Sequence, residues 1–320
     1  MKLIVQIPCF NEENTLPQTV KDIPRDIEGI DVVEILIIDD GSTDRTVEVA
    51  KSIGVDHIVC NRQNKGLAFS FMTGLDACLK AGADIIVNTD GDNQYRGSGI
   101  PDLIAPILAK EADIVVGDRK TENIQHFSLV KKFLQKLGSW VVRRISDTSV
   151  PDAVSGFRAF SREAALRTNI VSTYSYTVET IIQAGNKKLA IVSVPVRTNE
   201  VTRESRLVKS IPRFIINQLN TMIRMYTMFK PLKAFFVIGC LCVIVGLIPS
   251  IRFLYFYLNG AGGGHIQSLI FAAVMFFVGF QVLILGLIGD VISFNRKLLE
   301  ETLIRVKKIE LENYKKNSEG

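Results

Sequence analysis

Two long uncharged apolar runs near the C-terminus of this 320-residue chain limit its possible folds more than any other feature. The first runs from Ala234 to Ile251, and the second runs from Ile266 to Gly289. A helix of about 20 apolar residues crosses the hydrocarbon core of a bilayer. We therefore predict two transmembrane helices, over 233–257 and 267–290 (together the segment 233–292). The alternative is a buried helical hairpin in a water-soluble protein, where uncharged helices of this length are uncommon.

Basic residues flank both predicted spans, whereas the link between the spans contains neither Lys nor Arg. The positive-inside rule places basic flanks in the cytoplasm. The first residues, MKLIVQIPCFNEEN, lack the long apolar run of a signal peptide. We therefore expect an integral protein of the plasma membrane, or of the endoplasmic reticulum in a eukaryote, with residues 1–210 forming a cytoplasmic domain.

Two further segments are predicted to be helical. Apolar residues recur at helical spacing over 211–232, which is typical of an amphipathic helix lying on a membrane surface. The alternative is an ordinary helix packed on the cytoplasmic domain. The tail, residues 293–320, is rich in charge. We expect it to be a solvated cytoplasmic helix and a candidate surface for pairing with another copy of the chain.

Residues 1–210 alternate apolar strands with amphipathic helices. Continuous apolar runs occupy 3–8, 32–40, 83–90 and 113–119, and a short strand precedes Asn61. Such strands, joined by helices, indicate an α/β fold with a mostly parallel, Rossmann-like sheet covered on both faces. A hydrophobic content of 47% excludes a disordered chain, and five cysteines without a C-x-x-C pair do not suggest a disulfide scaffold.

Four polar clusters follow the predicted strands. They are Phe10-Asn11-Glu12, Asp39-Asp40-Gly41-Ser42, Asp90-Gly91-Asp92 and Asp118-Arg119. Ligands of parallel α/β sheets bind at the carboxyl ends of the strands. The sequence therefore predicts one site to which all four clusters contribute.

Asp90 and Asp92 form the only D-x-D of the chain. Two carboxylates at this spacing after a strand can reach one hard cation, and Mg²⁺ or Mn²⁺ prefers oxygen ligands and bridges to phosphate. Gln94 adds an amide oxygen two residues further on. We predict a Mg²⁺ or Mn²⁺ site at these three residues. The alternative is a solvated acidic turn.

Several other residues suit a nucleotide or a phosphate. Asp39 can accept hydrogen bonds from a ribose or a base, and Lys65-Gly66 precedes a helix whose N-terminus can face phosphate. Arg119 can bind phosphate with its planar fork, or it can form a structural ion pair. Arg203 and Arg206 precede the amphipathic segment, where a lipid phosphate would enter. A general attraction to the membrane surface is the competing interpretation of this pair.

The motifs together resemble the family-two inverting glycosyltransferases, in particular the polyprenyl-phosphate glycosyltransferases that resemble dolichyl-phosphate mannose synthase. The matching segments run in order from residue 7 to residue 210: IPCFNEE, IIDDGSTDRT, NKGLAFSFMTGL, TDGDNQY, VVGDR, DAVSGFRAFSREA and TNEVTRESRLVKS. Two residues depart from the pattern. Gly91 replaces a common alanine, which we expect to be harmless, and Tyr95 stands where many relatives have histidine.

The resemblance implies a GT-A type domain and a role for each matching residue. Pro8, Phe10, Glu12, Ile37 and Asp39 would line a nucleoside pocket, and Asp152 with 155–158 would shape the acceptor side. The candidate substrate-binding residues are Pro8, Phe10, Asn11, Glu12, Ile37, Asp39, Asp40, Lys65, Gly66, Asp90, Gly91, Asp152, Ser155, Arg158 and Arg203. The candidate catalytic residues are Asp92, Arg119 and Arg206, and the candidate metal ligands are Asp90, Asp92 and Gln94.

The reaction implied is transfer of a sugar, with inversion, from a nucleoside-diphosphate sugar to a dolichyl or undecaprenyl phosphate in the membrane. Two alternatives stay open: a glycosyltransferase with a soluble or lipid hydroxyl acceptor, and a non-catalytic membrane adaptor. A processive polysaccharide synthase is disfavoured because the only tryptophan, Trp140, is not part of a Q-x-x-R-W motif. We expect no nucleic-acid partner.

Overall fold

The computed structural model of the chain describes residues 1–120, 140–172, 176–199, 211–260 and 265–319. These residues form two compact units. The first consists of Met1–Met222 with Ile304–Gly320, and the second consists of Ile223–Leu303. Arg203 and Arg206, two of the predicted site residues, lie outside the described residues.

A seven-stranded sheet forms the centre of the first unit. Its strands are β1 Lys2–Cys9, β2 Val32–Asp39, β3 His57–Cys60, β4 Ile85–Asn88, β5 Ile114–Asp118, β6 Arg158–Ser161 and β7 Ile191–Pro195. Their order across the sheet is β3-β2-β1-β4-β6-β5-β7. Only β6 runs antiparallel to its neighbours β4 and β5. The prediction of a mostly parallel sheet is therefore confirmed, although the sequence did not predict β6 or β7.

Isoleucine, leucine and valine dominate the central strands, because both faces of those strands are covered by other residues. Leu3, Val5 and Ile7 of β1 are fully buried, as are Ile35 and Ile37 of β2. These side chains belong to one core cluster on the sheet. Because β1, β2 and β4 are buried side by side in the sheet, the polar loops that follow them begin at the same edge of the sheet.

Seven helices accompany this sheet in the described part of the first unit before residue 200. They are α1 Leu16–Lys21, α2 Thr46–Ser52, α3 Leu67–Lys80, α4 Ile100–Leu108, α5 (helical residues 140–146), α6 Arg162–Arg167 and α7 Tyr176–Asn186. Helix α3 packs on β1 and β2 through its buried residues, among them Phe71 and Leu75. The helices after β1, β2 and β3 agree with the predicted alternation of strands and helices.

Three long helices follow: α8 Ile211–Phe229, α9 Pro231–Leu258 and α10 Ile266–Glu319. Helices α9 and α10 each contain a window long and apolar enough to cross a membrane, with mean hydropathies of 2.6 and 2.5. Only 11% and 17% of those windows are buried, whereas the core helix of a soluble protein would be mostly covered. The two helices approach closely at Gly239, where an added Cβ would lie 2.8 Å from the Leu283 side chain.

Helix α8 exposes apolar side chains at i, i+3 and i+7. Ile216, Leu219 and Ile223 are 56%, 48% and 61% exposed, while Met222 and Met225 are buried. One face of α8 therefore packs on protein, and the other leaves an apolar stripe uncovered. This pattern is compatible with the amphipathic membrane helix expected from the sequence, which stays a prediction.

The last turns of α10 are mostly exposed and also make ion pairs with other helices of the first unit. Within the first unit, Lys308 Nζ lies 3.1 Å from Glu163 Oε2 of α6, and Glu310 Oε1 lies 3.2 Å from Lys80 Nζ of α3. Ile304, one turn before Lys308, is also partly covered. The ion pairs join half-exposed side chains, and the expectation of a solvated tail stays a prediction.

Candidate active site

The loops after β1 and β2 are tied together by hydrogen bonds. Asn11 adopts a left-handed backbone conformation with φ of 56°, which asparagine tolerates better than most residues. Its backbone N–H donates to Ser42 Oγ (2.9 Å), and its Oδ1 accepts from the backbone N–H of Thr43 (2.8 Å). The N–H of Glu12 donates to Thr46 Oγ1 at 2.8 Å. Two of the predicted polar clusters are thus in direct contact.

The loop after β1 also contacts the D-x-D loop. The Thr15 hydroxyl lies 2.8 Å from both Glu12 Oε2 and the carbonyl oxygen of Gly91. A Cβ at Gly91 would lie 3.1 Å from Cys9 Sγ and 3.3 Å from Glu12 Cγ. An alanine here would therefore need its neighbours to move by a few tenths of an ångström, so the departure at Gly91 fits the tight packing of this loop.

Asp40 anchors the loop between β3 and α3. Its Oδ1 accepts from Asn61 Nδ2 (2.8 Å) and from the backbone N–H of Lys65 (3.0 Å), and its Oδ2 accepts from the N–H of Gly66 (2.8 Å). Asp40 is only 4% exposed. These contacts give Asp40 a positioning role, whereas the Lys65 side chain is exposed and lies over the Phe69 ring at 4.2 Å.

Gly41 allows this loop to approach β2. Its φ is +73°, and a Cβ at this position would lie 2.7 Å from the backbone carbon of Gln63. Left-handed backbone and close approach both require glycine. The sequence DDGS therefore fixes the distance between the loops after β2 and β3.

The candidate metal ligands follow β4 directly. Asp90, Asp92 and Gln94 are all partly exposed, and Asp92 Oδ1 accepts from the backbone N–H of Gln94 at 3.1 Å. The Asp90 carboxylate lies against Gly156, where an added Cβ would come within 3.0 and 3.1 Å of its two oxygens. The lack of a side chain at Gly156 leaves room for this carboxylate.

Among the described residues, no three His, Cys, Asp or Glu side chains are grouped as a complete metal site. Two carboxylates and an amide oxygen are nevertheless suitable ligands for Mg²⁺ or Mn²⁺, which usually keeps open positions for water or substrate phosphate. The residues present therefore fit a cation that is shared with a phosphorylated ligand. Their assignment as ligands stays a prediction.

Arg119 and Asp152 form a buried, bidentate ion pair. Arg119 Nε and Nη2 donate to the two carboxylate oxygens of Asp152 at 2.7 and 3.0 Å. The side chains of Arg119 and Asp152 are 17% and 2% exposed. Burial alone would lower the pKa of Arg119, but the neighbouring Tyr95, Asp152 and Asp90 outweigh it and raise that pKa above its ordinary value. Arg119 is thus a fixed cation beside the D-x-D loop, and the ion pair considered for it is present.

Arg158 is a candidate binding residue that the structure places out of reach of a ligand. It is fully buried on β6. Its guanidinium donates to the carbonyl oxygens of Ser155 (2.8 Å), Thr177 (2.7 Å) and Ala153 (3.0 Å). Burial lowers its pKa to about 10, so the group is charged near neutrality. Its contacts shape the loop 152–158 from behind, which corrects the expectation of direct binding at this residue.

Ile37 also needs a correction. The resemblance implied that Ile37 lines a nucleoside pocket, but its side chain is fully buried in the core cluster. Both faces of β2 are covered here, since Leu36 and Ile38 on the opposite face are buried as well. Pro8 and Phe10 are partly exposed and Asp39 is 4% exposed at the end of β2. The roles of Pro8, Phe10 and Asp39 in binding the nucleoside stay predictions.

Two tyrosines that the sequence did not assign to the site support its central loop. The Tyr95 hydroxyl accepts from the N–H of Gly156 at 3.0 Å, and the Gly156 carbonyl accepts from Asn88 Nδ2 at 3.0 Å. Asn88 Nδ2 also lies 2.8 Å from the Tyr176 hydroxyl. Burial raises the pKa of Tyr95 and of Tyr176, so both stay neutral donors or acceptors. For Tyr95, its position three residues after Asp92 was the one sequence feature that could have indicated a place in the site.

The comparison with known families agrees with this geometry. The model of glycosyl transferase family 2 matches residues 4–167, and these residues include most of β1, all of β2 to β6, the D-x-D loop and Arg119. The chain belongs to this family. It is a glycosyltransferase with a GT-A-like domain and two candidate transmembrane helices.

Two relatives extend the comparison. A UDP-N-acetylglucosamine–dolichyl-phosphate N-acetylglucosaminyltransferase of Methanococcus voltae is 30% identical, over 60% of this chain and 83% of the relative. An undecaprenyl-phosphate 4-deoxy-4-formamido-L-arabinose transferase of Proteus mirabilis is 26% identical, over 91% of this chain and 88% of the relative. The second alignment is long enough to include part of the region of α9 and α10.

A solved structure is similar in fold. It is glucosyl-3-phosphoglycerate synthase from Mycobacterium tuberculosis in complex with Mn²⁺, UDP-glucose and phosphoglyceric acid. The TM-score is 0.56 at 22% sequence identity, and the match covers 69% of this chain and 79% of the other. At this identity the likeness establishes the fold alone.

Proposed function

We propose that the protein transfers a sugar from a nucleoside-diphosphate sugar to a polyprenyl phosphate in the membrane, with inversion at the anomeric carbon. The observation that carries this proposal is the meeting of the D-x-D loop with the Arg119–Asp152 pair at one edge of the sheet, where Asp90 acts on Arg119 electrostatically. Two candidate spans in the same chain and the names of the relatives support a lipid acceptor.

The donor diphosphate would bind at the D-x-D loop. Asp90, Asp92 and Gln94 would hold Mg²⁺ or Mn²⁺. The structural neighbour is itself a complex with Mn²⁺, which supports the use of a divalent cation. When bound, the cation would neutralise charge that develops on the leaving nucleoside diphosphate. The loops after β1, β2 and β3 would surround the nucleoside, because they are tied to the same edge of the sheet.

The acceptor phosphate needs no strong general base. It is anionic near neutral pH, so one of its oxygens can attack the anomeric carbon directly. A new carbon–oxygen bond forms as the bond from that carbon to the β-phosphate oxygen breaks, and the nucleoside diphosphate leaves with the bonding electron pair. Attack opposite the leaving group inverts the anomeric centre. The chain's remaining task is to align two phosphates that repel each other.

Arginines would supply that alignment. Arg119 is fixed by Asp152 and adjoins Asp90, so it would contact donor or acceptor phosphate. Arg203 and Arg206 follow Asn199 closely in sequence and would bind the lipid phosphate. The basic flanks of the candidate spans support a catalytic unit on the cytoplasmic side of the membrane.

Replacing Asp92 with alanine tests the proposal. We expect sugar transfer to fall by about 100-fold or more, as when one group that stabilises the transition state is removed. The assay mixes the full chain in lipid vesicles with Mn²⁺, a panel of labelled UDP- and GDP-sugars and undecaprenyl phosphate, and measures label extracted into organic solvent. Asp102→Ala, on the exposed side of α4, is the matched control. Turnover of Asp92→Ala near that of the wild type would refute the assignment.

The same assay separates a second candidate function. The structural neighbour is a synthase whose complex contains the water-soluble phosphoglyceric acid, and its fold is shared. Label that stays in the aqueous phase, in a new phosphorylated sugar product, would favour a soluble acceptor. Metal-dependent label in the organic phase, lost in Asp92→Ala, supports the lipid acceptor.

A further inference from the structure

The segment after β7 pairs with the loop that follows the second aspartate of the D-x-D. Thr198 and Tyr95 form an isolated antiparallel bridge. Next to it, the backbone N–H of Asn199 donates to the carbonyl oxygen of Gln94 at 2.9 Å. Two segments more than 100 residues apart in sequence are therefore joined beside the candidate metal ligands.

The side chain of Asn199 continues this pairing on both sides of Gln94. Its Nδ2 donates to the carbonyl oxygen of Asn93 at 2.9 Å, and its Oδ1 accepts from Arg96 Nε at 2.9 Å. Asn199 thus engages three of the four residues 93–96 with its backbone N–H, its amide nitrogen and its amide oxygen. A side chain that can donate and accept at once is needed for this arrangement.

Within the loop 93–96, the buried Tyr95 stacks on Phe157 with ring centroids 5.2 Å apart. Asn93 has a left-handed backbone with φ of 58°, and the internal hydrogen bond from Gln94 N–H to Asp92 Oδ1 is 3.1 Å long. Tyr95 is held separately, by its bond from Gly156. Asn199 supplies the hydrogen bonds to the carbonyl oxygens of Asn93 and Gln94, the two residues that follow Asp92.

We infer that Asn199 is a positioning residue for the metal-binding loop: it fixes Asp92 and Gln94 in the arrangement that receives the divalent cation. The inference rests on the proposed function, because it assigns Asn199 to the same site. Residues that orient metal ligands from behind typically change metal affinity by about 10- to 100-fold when they are replaced.

The test titrates Mn²⁺ into the full-length protein with UDP, and separately with GDP, and follows free Mn²⁺ by electron paramagnetic resonance. We expect Asn199→Ala to weaken Mn²⁺ binding by about tenfold. Turnover at saturating Mn²⁺ should return to near the wild-type value, since only the placement of the ligands is affected. Asn186→Ala is the matched control, because it also removes an amide-to-carbonyl bond, to Ile182 on α7, away from the loop.

Two further variants keep the inference falsifiable if Asn199→Ala folds poorly. Arg96→Met removes an exposed partner and should weaken Mn²⁺ binding less than Asn199→Ala. Asn199→Asp keeps the acceptor for Arg96 and loses the donor to Asn93, so it should be intermediate. If the wild type binds Mn²⁺ and these variants bind it with the same affinity, the inference about Asn199 is wrong, while the proposed function is unaffected. If the wild type fails to bind Mn²⁺ both in the presence of UDP and in the presence of GDP, the result contradicts the proposed function as well.

Discussion

The two sides of the D-x-D loop are held by different kinds of interaction. On the proposed donor side, the loops after β1, β2 and β3 are joined by hydrogen bonds in which side-chain oxygens of Asn, Thr, Ser and Asp accept from backbone N–H groups. On the proposed acceptor side, the ion pair of Arg119 with Asp152 and the three carbonyl contacts of Arg158 hold the loop 152–158.

This difference has an energetic consequence. A single neutral hydrogen bond contributes about 1 kcal/mol to folding, so the donor side can lose one such bond and keep its shape. A buried charge that loses its partner is far more unfavourable. We therefore expect the acceptor side to be the more sensitive of the two to substitution, although both lie at one edge of the sheet.

Arg119→Met gives the largest expected effect. It removes the bidentate ion pair of the buried Asp152 carboxylate, and the free energy of unfolding should fall by about 3–5 kcal/mol, measured by chemical denaturation. The double variant Arg119→Met/Asp152→Leu should regain much of this stability but not the transfer activity. If the double variant recovers both, Arg119 has only a structural role.

Gly156→Ala should have a medium effect, because it affects both sides of the comparison. The new Cβ would lie 3.0–3.1 Å from the Asp90 carboxylate oxygens and from the Tyr176 hydroxyl. We expect a loss of about 1–3 kcal/mol in stability and a higher Mn²⁺ requirement, measured from activity against Mn²⁺ concentration. Gly99→Ala is the control, since its Cβ would meet the Phe157 ring at an ordinary 3.6 Å. An unchanged Mn²⁺ requirement would mean that Asp90 is not held by this contact.

Asn61→Ala should give the smallest effect. It removes one of three donors to the Asp40 carboxylate, and the two backbone donors of Lys65 and Gly66 stay in place. We expect a loss of about 1.5 kcal/mol, the lower end for a hydrogen bond to a charged group, with nearly unchanged nucleotide affinity, measured by thermal shift with UDP and GDP. A loss as large as that of Arg119→Met would break the contrast between the two sides.

The donor side was largely predictable from the sequence. Apolar runs that end in Asp39, Asp90 and Asp118 identify parallel strands, and parallel strands bring their ends to one edge. The glycine of DDGS likewise predicts a tight turn, and Gly41 is in the left-handed region. These signals are local in sequence, so a single chain is enough to read them.

The acceptor side was harder to predict, because its interactions are distant in sequence. The partner of Arg119 is 33 residues away, and β6 is a short strand of four residues that inserts antiparallel between β4 and β5. Nothing in the sequence indicated that Arg158 would be enclosed by carbonyl groups and not exposed to a ligand. The burial of Ile37 was missed because both faces of β2 are covered, and a continuous apolar run does not show which of its side chains reaches the edge of the sheet.

The ion pairs of Lys308 and Glu310 with helices α6 and α3 have a practical consequence for experiments on the isolated catalytic unit. That unit is discontinuous in sequence, because it includes residues 304–320, which follow both candidate spans. A soluble fragment that stops before α8 would expose Glu163 and Lys80 without these partners, and a fusion tag attached to the C-terminus would extend directly from the helix that makes the contacts. Enzymological work on this chain is therefore best designed around the full-length polypeptide, with any tag placed at the opposite end.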